Sequence, residues 1–311
     1  MRYGLVGTGF WARTTHAPAI ASADGCTLDA VWGRNPAATA TLAASLSATP
    51  FSGTVLSSGT GGGDFDAFLA GVDAVAFSVP PHVQAPLAIR AAQAGKHLLL
   101  EKPIALTVTD AERLAKAVEA ARVASVVFFT HRFATEIRAW LTDENARGGW
   151  SGGGWSGGIA VWLGDALHPD SPFNTPWRRE KGALWDIGPH VVSLLWACLG
   201  PVTSVSAVPG DDDTTHLMLR HESGASSTAT VTLSAPPAAA GVNLFVWGEA
   251  GRSVLPSDPI EPVGALRTAA AELAALATSD EPPPHPCDVN FGLEVVRVLA
   301  AAQAQRDQRP R

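Results

Sequence analysis

The sequence is short of the features that mark several whole classes of protein. Cysteine occurs only three times in 311 residues, at Cys26, Cys198 and Cys287. An odd number so widely spaced makes neither a disulfide framework nor a metal-ligand set. No metal is expected, and a reducing cytoplasm is the simplest setting. Charged residues make up only 16% of the chain, and the formal net charge is −7. There is no basic excess to draw nucleic acid or an anionic membrane surface, so neither is expected as a partner. No uninterrupted apolar run reaches about 18 residues, the length a membrane-crossing helix needs. The opening MRYGLVGTGF lacks the charged segment and long apolar stretch of a secretory signal. What remains is a folded, cytoplasmic protein whose partner is a small molecule. A hydrophobic content of 46% over this length is enough for two domains with real cores.

The first 130 residues alternate apolar runs with helical patterns. Arg2 to Val6 reads as a buried strand, Trp11 to Ala23 as a helix, and Thr27 to Trp32 as a second strand. Asn35-Pro36 opens another helix, with proline in the first turn where its missing N–H costs nothing. A short helix is expected from Asp64 to Ala70 and a buried strand from Ala74 to Ser78. His82 to Ala94 reads as a helix closed by Gly95. A strand from His97 to Leu100, a helix from Asp110 to Ala121 and a strand from Ala124 to Thr130 complete the series. Unbroken apolar strands between helices imply a parallel, doubly wound sheet covered on both faces.

The second half has another texture. The stretch from Gly148 to Gly158 contains WSGG twice and reads as a glycine-rich loop or hairpin. A helix from Ile187 to Leu199 stops at Gly200-Pro201. Strand-like runs follow at Val202 to Val208, His216 to Arg220, Ser226 to Leu233 and Val242 to Trp247. The acidic turn from Gly210 to Asp213 reads as a solvated hairpin tip. Ala265 to Ala277 and Phe291 to Gln303 read as helices, separated by the proline-rich Glu281 to Pro286, and the tail RDQRPR as frayed. Strands grouped together and flanked by helices make an α+β domain with an antiparallel or mixed sheet. We draw the division as 1–123, a dinucleotide-binding Rossmann domain, and 124–311, an α+β domain for substrate binding and oligomerisation.

Three motifs carry chemistry. Gly7-Thr8-Gly9-Phe10-Trp11-Ala12 follows the first strand and opens the first helix. Gly7 allows the tight turn, Gly9 lets the backbone approach a pyrophosphate, and the helix N-terminus supplies N–H groups and a positive dipole end. NAD-binding versions place an acid at the end of the second strand for the ribose 2′-hydroxyl. Here that strand ends Trp32-Gly33-Arg34, and Arg34 suits a 2′-phosphate, so NADP(H) is expected in preference to NAD(H). The bland alternative is that Arg34 is a solvated surface residue. The second motif, Glu101-Lys102-Pro103, lies past the C-terminal end of a strand, where open parallel sheets bind ligands. Lys102 can there contact the cofactor and donate to a substrate oxygen. The third is GALWDIGPH, from Gly182 to His190. If one helix holds both, Asp186 and His190 share a face; if Asp186 caps the helix, Pro189 falls in the tolerated first turn. An imidazole near a carboxylate makes a general base, although an N-cap beside a surface histidine explains the pattern equally well.

Taken together, these motifs in this order and spacing resemble the Gfo/Idh/MocA oxidoreductase family over nearly the whole chain. The resemblance includes VPPHVQAPLAIRAAQAGKHLLLEKP, from Val79 to Pro103, and PHPCDVNFGLEVVRVLAAA, from Pro284 to Ala302. It implies a Rossmann domain followed by an open-faced, largely antiparallel sheet domain, with substrate lying against Lys102, Asp186 and His190. His190 would take the hydroxyl proton as hydride passes to the nicotinamide, while Asp186 and Lys102 orient the alcohol. The resemblance also implies a cis Lys102–Pro103 peptide and a cofactor loop comprising Ser78, Pro80 and His82. It assigns Trp177, Arg178 and His131 to the substrate. Family members commonly carry a glycine-rich run where this chain has Arg179-Glu180-Lys181-Gly182, which puts the usual sugar-like substrate in question. The reading is therefore a dehydrogenase or reductase for a polyol, sugar or related carbonyl compound, forming a homodimer or homotetramer through the second domain's sheet. The alternative is a non-catalytic dinucleotide sensor on the same scaffold.

Overall fold

The computed structural model describes residues 1–53, 65–147, 149, 152, 154–279 and 281–308. Asp64, part of the WSGG repeat and the last three residues of the tail therefore lie outside the described residues. The chain forms two compact units. One comprises Met1–Phe133 with Glu261–Glu294, and the other Ala134–Ile260 with Val295–Arg311. This differs from a single division at residues 123 and 124, for two reasons given by the strands and helices of the first unit.

The first unit is built on a six-stranded parallel sheet among the described residues. Its strands are β1 (Arg2–Val6), β2 (Thr27–Gly33), β3 (Thr49–Ser52), β4 (Ala74–Phe77), β5 (His97–Glu101) and β6 (Ser125–Phe128), in the order β3-β2-β1-β4-β5-β6. Strands β4 and β6 are buried along their whole length, which is why their sequences show no alternation. The order reverses beside β1, so β1 and β4 flank the topological switch point where such sheets bind ligands. Strand β3 was not expected: TPFS is short, and its proline is acceptable because the strand lies at the sheet edge. The segment after β1 is helical through Ala21, but Ala12–His16 is a wide π-helical turn rather than the regular helix expected.

Strand β6 belongs to this sheet, which is the first reason that the boundary falls after residue 123. The second is the chain's return. Helix Pro262–Leu276 buries Ala265, Leu266, Ala269, Ala270 and Leu273, one stripe at helical period. It packs against the helix Ala17–Ala21 and against β5 and β6. The hydroxyl of Tyr3, wholly buried in β1, donates to the carbonyl of Ala270 at 2.8 Å. The segment that follows borders the free edge of β6: Val127 N–H donates to Cys287 O at 2.7 Å, and Val289 N–H to Ser125 Oγ at 3.1 Å. Gly292 is glycine because a Cβ there would lie 2.9 Å from Ile104 Cγ2.

The second unit holds another six-stranded sheet among the described residues. It comprises β7 (Gly157–Leu163), β8 (Val202–Pro209), β9 (Thr215–His221), β10 (Ser226–Thr232), β11 (Gly241–Gly248) and β12 (Gly251–Val254), ordered β12-β11-β7-β10-β9-β8. All pairings are antiparallel except that of β7 with β10. Strands β7 and β12 and the helices Thr135–Ala146 and Pro176–Asp186 were not expected. The Gly157-Gly158 pair is strand, not loop, paired with β10 and β11, and neither position has room for a side chain. A Cβ on Gly157 would strike the Trp247 ring, and one on Gly158 would lie 3.0 Å from Leu195 Cδ2 and 3.1 Å from Leu199 Cδ1.

Leu195 and Leu199 belong to helix Gly188–Leu199, which covers one face of the sheet. The other face is open to solvent. Register aligns Val254, Phe245, Ile159, Thr228, Met218 and Ser206 in a row across it, and Met218 is 57% exposed. The segment Pro176–Leu199 is long and apolar enough to cross a membrane, but 89% of its apolar window is buried within the protein, as in a core helix. The acidic turn is only partly a solvated tip. Asp211 and Asp212 are exposed, whereas Asp213 turns inward and accepts from the Thr232 and Ser234 hydroxyls, both at 2.7 Å.

Candidate functional site

In the first unit the glycine motif forms a bare backbone turn at the end of β1. Gly7 has φ 126°, and a Cβ there would run into the carbonyl oxygen of Ser78. The turn is tied on both sides: Gly7 N–H donates to Trp32 O at 2.9 Å, and Ser78 N–H to Val6 O at 2.8 Å. Thr8 passes close over Gly33, whose Cβ would fall 2.8 Å from Thr8 Cγ2. Gly9 is exposed and faces open space, and Phe10 is 39% exposed. A turn with glycine on either side of Thr8, at a helix N-terminus and placed at the switch point, fits the pyrophosphate of a dinucleotide. Ser78 and Pro80 line the end of β4 half-buried, and His82 is exposed in the first turn of helix Pro81–Gln93. Arg34 is exposed just beyond Gly33 and forms no ion pair among the described residues.

The Glu101-Lys102-Pro103 motif is held from behind by Gln84, a residue that the sequence did not single out. Gln84 is fully buried, and its amide pairs with both backbone groups of Glu101: Nε2 donates to the carbonyl and Oε1 accepts the N–H, each at 2.8 Å. The Glu101 carboxylate reaches back to the glycine motif and accepts the Trp11 indole N–H at 2.8 Å. His16, also unforeseen, is buried with Nε2 3.4 Å from the same carboxylate. The structure thus brings Trp11, Glu101 and His16 together. The Lys102–Pro103 peptide is cis, as the resemblance implies. Burial pushes the pKa of His131 down to about 4, with a further contribution from the Lys102 ammonium nearby. Burial alone pushes that of His16 down to about 4. A lone amide in an apolar helix, and a lone histidine in TTHAPAI, were the only signals for Gln84 and His16.

In the second unit the helix that starts at Pro176 breaks at Gly182, with φ 66° and ψ −169°, and a fresh helical run begins at Ala183. Ile187 N–H donates to Ala183 O at 2.8 Å and Val191 N–H to Ile187 O at 3.2 Å. Asp186 therefore lies inside the helix rather than at its cap, and Asp186 and His190 share a face. Both are buried. Asp186 Oδ2 accepts from Arg178 Nε at 2.8 Å. The same guanidinium lies over the Trp177 and Phe173 rings and donates to Phe173 O at 3.3 Å. Arg178, expected to meet substrate, is thus engaged with Asp186, and Trp177 lies against it. The His190 ring stacks on Trp162 of β7, with centroids 5.3 Å apart and planes 22° from parallel. Trp162 was missed because β7 itself was. A carboxylate fixed by an arginine and an imidazole fixed by an indole make a positioned acid–base pair. No group of three or more His, Cys, Asp or Glu able to hold a metal occurs among the described residues.

The desolvated histidines His16 and His131 impose a pH dependence. Unfolded histidine titrates at 6.5, whereas His16 and His131 in the folded chain stay neutral to about pH 4. Between these values the unfolded chain binds more protons, so stability falls as pH falls, by up to about 1.4 kcal/mol per pH unit for each ring. Urea midpoints measured from pH 7 to pH 4.5 are expected to fall across this window. The slope is expected to lessen in His16→Gln, and equal slopes in the two proteins would contradict the assignment.

The comparisons with known proteins agree with the fold. Residues 1–129 match the model of an oxidoreductase family with an NAD-binding Rossmann fold, and residues 158–254 match the GFO/IDH/MocA C-terminal domain. Levoglucosan dehydrogenase of Pseudarthrobacter phenanthrenivorans is 31% identical over 145 residues, covering 44% of this chain and 35% of that protein. D-apiose dehydrogenase of Paraburkholderia graminis is 29% identical over 161 residues, covering 49% and 41%. The matches span less than half the length of these relatives. Among solved structures, levoglucosan dehydrogenase in complex with NADH and levoglucosan has a TM-score of 0.80 at 20% identity, covering 99% of this chain and 97% of that one. The WlbA dehydrogenase from Bordetella pertussis, in complex with NADH and UDP-GlcNAcA, gives 0.79 at 24% identity with the same coverage. With its motifs, its sheet order and both domain models in agreement, the chain belongs to the Gfo/Idh/MocA oxidoreductase family and carries that family's NAD-binding Rossmann fold.

Proposed function

We propose that the protein is a cytoplasmic NAD(P)-dependent dehydrogenase that interconverts a CH–OH group and a carbonyl on a sugar, polyol or related small molecule. The observation that carries this reading is the helix face bearing Asp186 and His190, one fixed by Arg178 and the other by Trp162. Simple dinucleotide binding has no use for such a pair. The relatives named for levoglucosan and D-apiose support the substrate class. That all three cysteines are buried and outside any described disulfide fits a reducing compartment.

Gly7, Thr8, Gly9, Phe10 and Trp11 would hold the cofactor's phosphates, with Ser78, Pro80, His82, Glu101 and Lys102 along its ribose and nicotinamide. When bound, the nicotinamide supplies the acceptor or donor of hydride. His190 takes the substrate's hydroxyl proton during oxidation and returns it during reduction. Asp186, paired with Arg178, orients the hydroxyl, and Lys102 donates a hydrogen bond to the reacting oxygen. His131, uncharged beside Lys102, adds a neutral polar group for the substrate. Lys102→Ala and His190→Ala are expected to keep the fold and cofactor binding but to lose roughly 10² to 10⁴ in turnover on a panel of sugars and polyols. Undiminished turnover would remove these roles. Cofactor binding without turnover in the parent protein would favour the sensor reading.

The NADP(H) preference rests on Arg34, exposed beyond Gly33 where no carboxylate ends β2. Titration by tryptophan quenching should give tighter binding of NADPH than of NADH. Arg34→Ala should erase about tenfold of that difference, the worth of one charge-assisted contact. Tighter binding of NADH by the parent protein overturns the preference.

The open face of the second sheet, with Phe245, Ile159 and Met218 in one row, is the surface through which two copies would pair. Light scattering at micromolar concentration is expected to show a dimer or tetramer, and Met218→Glu to shift it toward monomer. A monomeric parent protein rules this surface out as the interface.

A further inference from the structure

We infer that Asp213 is a positioning residue: it fixes the helical run that carries Asp186 and His190 to the end of β10. The inference rests on the catalytic reading of those two residues but concerns a residue outside their helix.

Gly182 leaves the helical conformation, so Ala183 is the first residue of the run and its N–H has no helical acceptor behind it. Asp213 Oδ2 accepts that N–H at 2.9 Å. Its other contacts all lie at one place in the sheet. Oδ1 accepts from the Thr232 and Ser234 hydroxyls at 2.7 Å, and Leu233 N–H lies 3.1 Å from Oδ1 and 3.0 Å from Oδ2. One carboxylate therefore joins the start of the helix to the end of β10, which is paired on both sides by β7 and β9. Its charge also suits the positive end of the helix dipole. Gly182 makes the approach possible: its φ of 66° disfavours a side chain, and an added Cβ would sit 3.3 Å from Asp213 Cβ.

Asp186 and His190 follow Ala183 by roughly 4.5 and 10 Å of helix rise. A displacement of the first turn is passed to both, because the run from Ala183 to Leu195 is buried throughout. The Arg178–Asp186 pair crosses the break at Gly182, so the same anchor sets the span that this pair must bridge.

The test compares Asp213→Ala, Asp213→Asn and Ala183→Pro with the parent protein. Asp213→Asn retains an acceptor. Ala183→Pro removes the N–H that reaches Asp213 and sets the ring Cδ against the carboxylate, so it breaks the same contact from the helix side, at a first-turn position whose backbone accepts proline. Asp213→Ala and Ala183→Pro are expected to lower kcat about ten- to a hundredfold, the scale of an ångström of misplacement, with a smaller change in KM. Asp213→Asn should recover most of the loss. In the free proteins, the His190 ring resonance, assigned with His190→Gln, should shift in position and in titration midpoint in the first two variants. A merely structural loss would lower the melting temperature and leave the ring titration of the folded protein unchanged. The inference is overturned if a folded Asp213→Ala or Ala183→Pro protein keeps the parent His190 titration. Should Asp213→Ala fail to fold, Ala183→Pro decides. A parent protein without turnover on the sugar panel defeats the dehydrogenase reading, and the ring titration still decides the role of Asp213.

Discussion

The close passage of the Gly7 turn against the Ser78 carbonyl is the constraint on which the rest of the first unit depends. No side chain fits between them, so β1 and β4 can end side by side with their last carbonyls and amides interlocked. From there the contacts propagate outward. The turn sets the start of the next helix, that helix places Trp11, and Trp11 reaches the Glu101 carboxylate at the end of β5. Gln84 holds Glu101 through its backbone, so the motif at residues 101–103 is braced by a helix and by the glycine turn at once. Residues some ninety positions apart are thereby made parts of one rigid surface.

Charge is managed in each unit by pairing or by neutrality. Asp186 is buried but has the Arg178 guanidinium against it, and that guanidinium rests on two aromatic faces. In the first unit, burial and the Lys102 ammonium both oppose a second positive charge at His131. The result is an uncharged imidazole beside the lysine, rather than two competing cations. Such an arrangement suits a region that must hold polar ligands without collecting excess charge.

Much of this was legible in the sequence, and the rest was hidden for identifiable reasons. Buried parallel strands announce themselves as unbroken apolar runs, and β1, β2, β4 and β5 were placed to within a residue or so. The glycine turn, Lys102, Asp186 and His190 were marked by local motifs. Strand β7 escaped because it opens with two glycines, and the need for them comes from Trp247 on one side and from Leu195 and Leu199 on the other. Gln84, His16, Trp162 and Asp213 escaped for a related reason. Each acts on a partner far along the chain, and nothing in its own neighbourhood records that partner. Arg178 was noticed, but its pairing with the carboxylate eight residues ahead of it was not.

The discontinuity of the first unit has a bearing on biosynthesis. Tyr3 hydrogen-bonds to Ala270, and the β6 edge is bordered by Cys287 and Val289. A ribosome must therefore translate past residue 294 before the first sheet can acquire all of its own covering. Until then the nascent chain presents an uncovered apolar surface beside β5 and β6 and an unpaired strand edge, the two features that chaperones bind and that misassembly exploits. Folding of this chain during its synthesis cannot proceed as one finished domain followed by another. The sheet of the first unit waits, partly built, for a segment translated more than a hundred residues after its last strand.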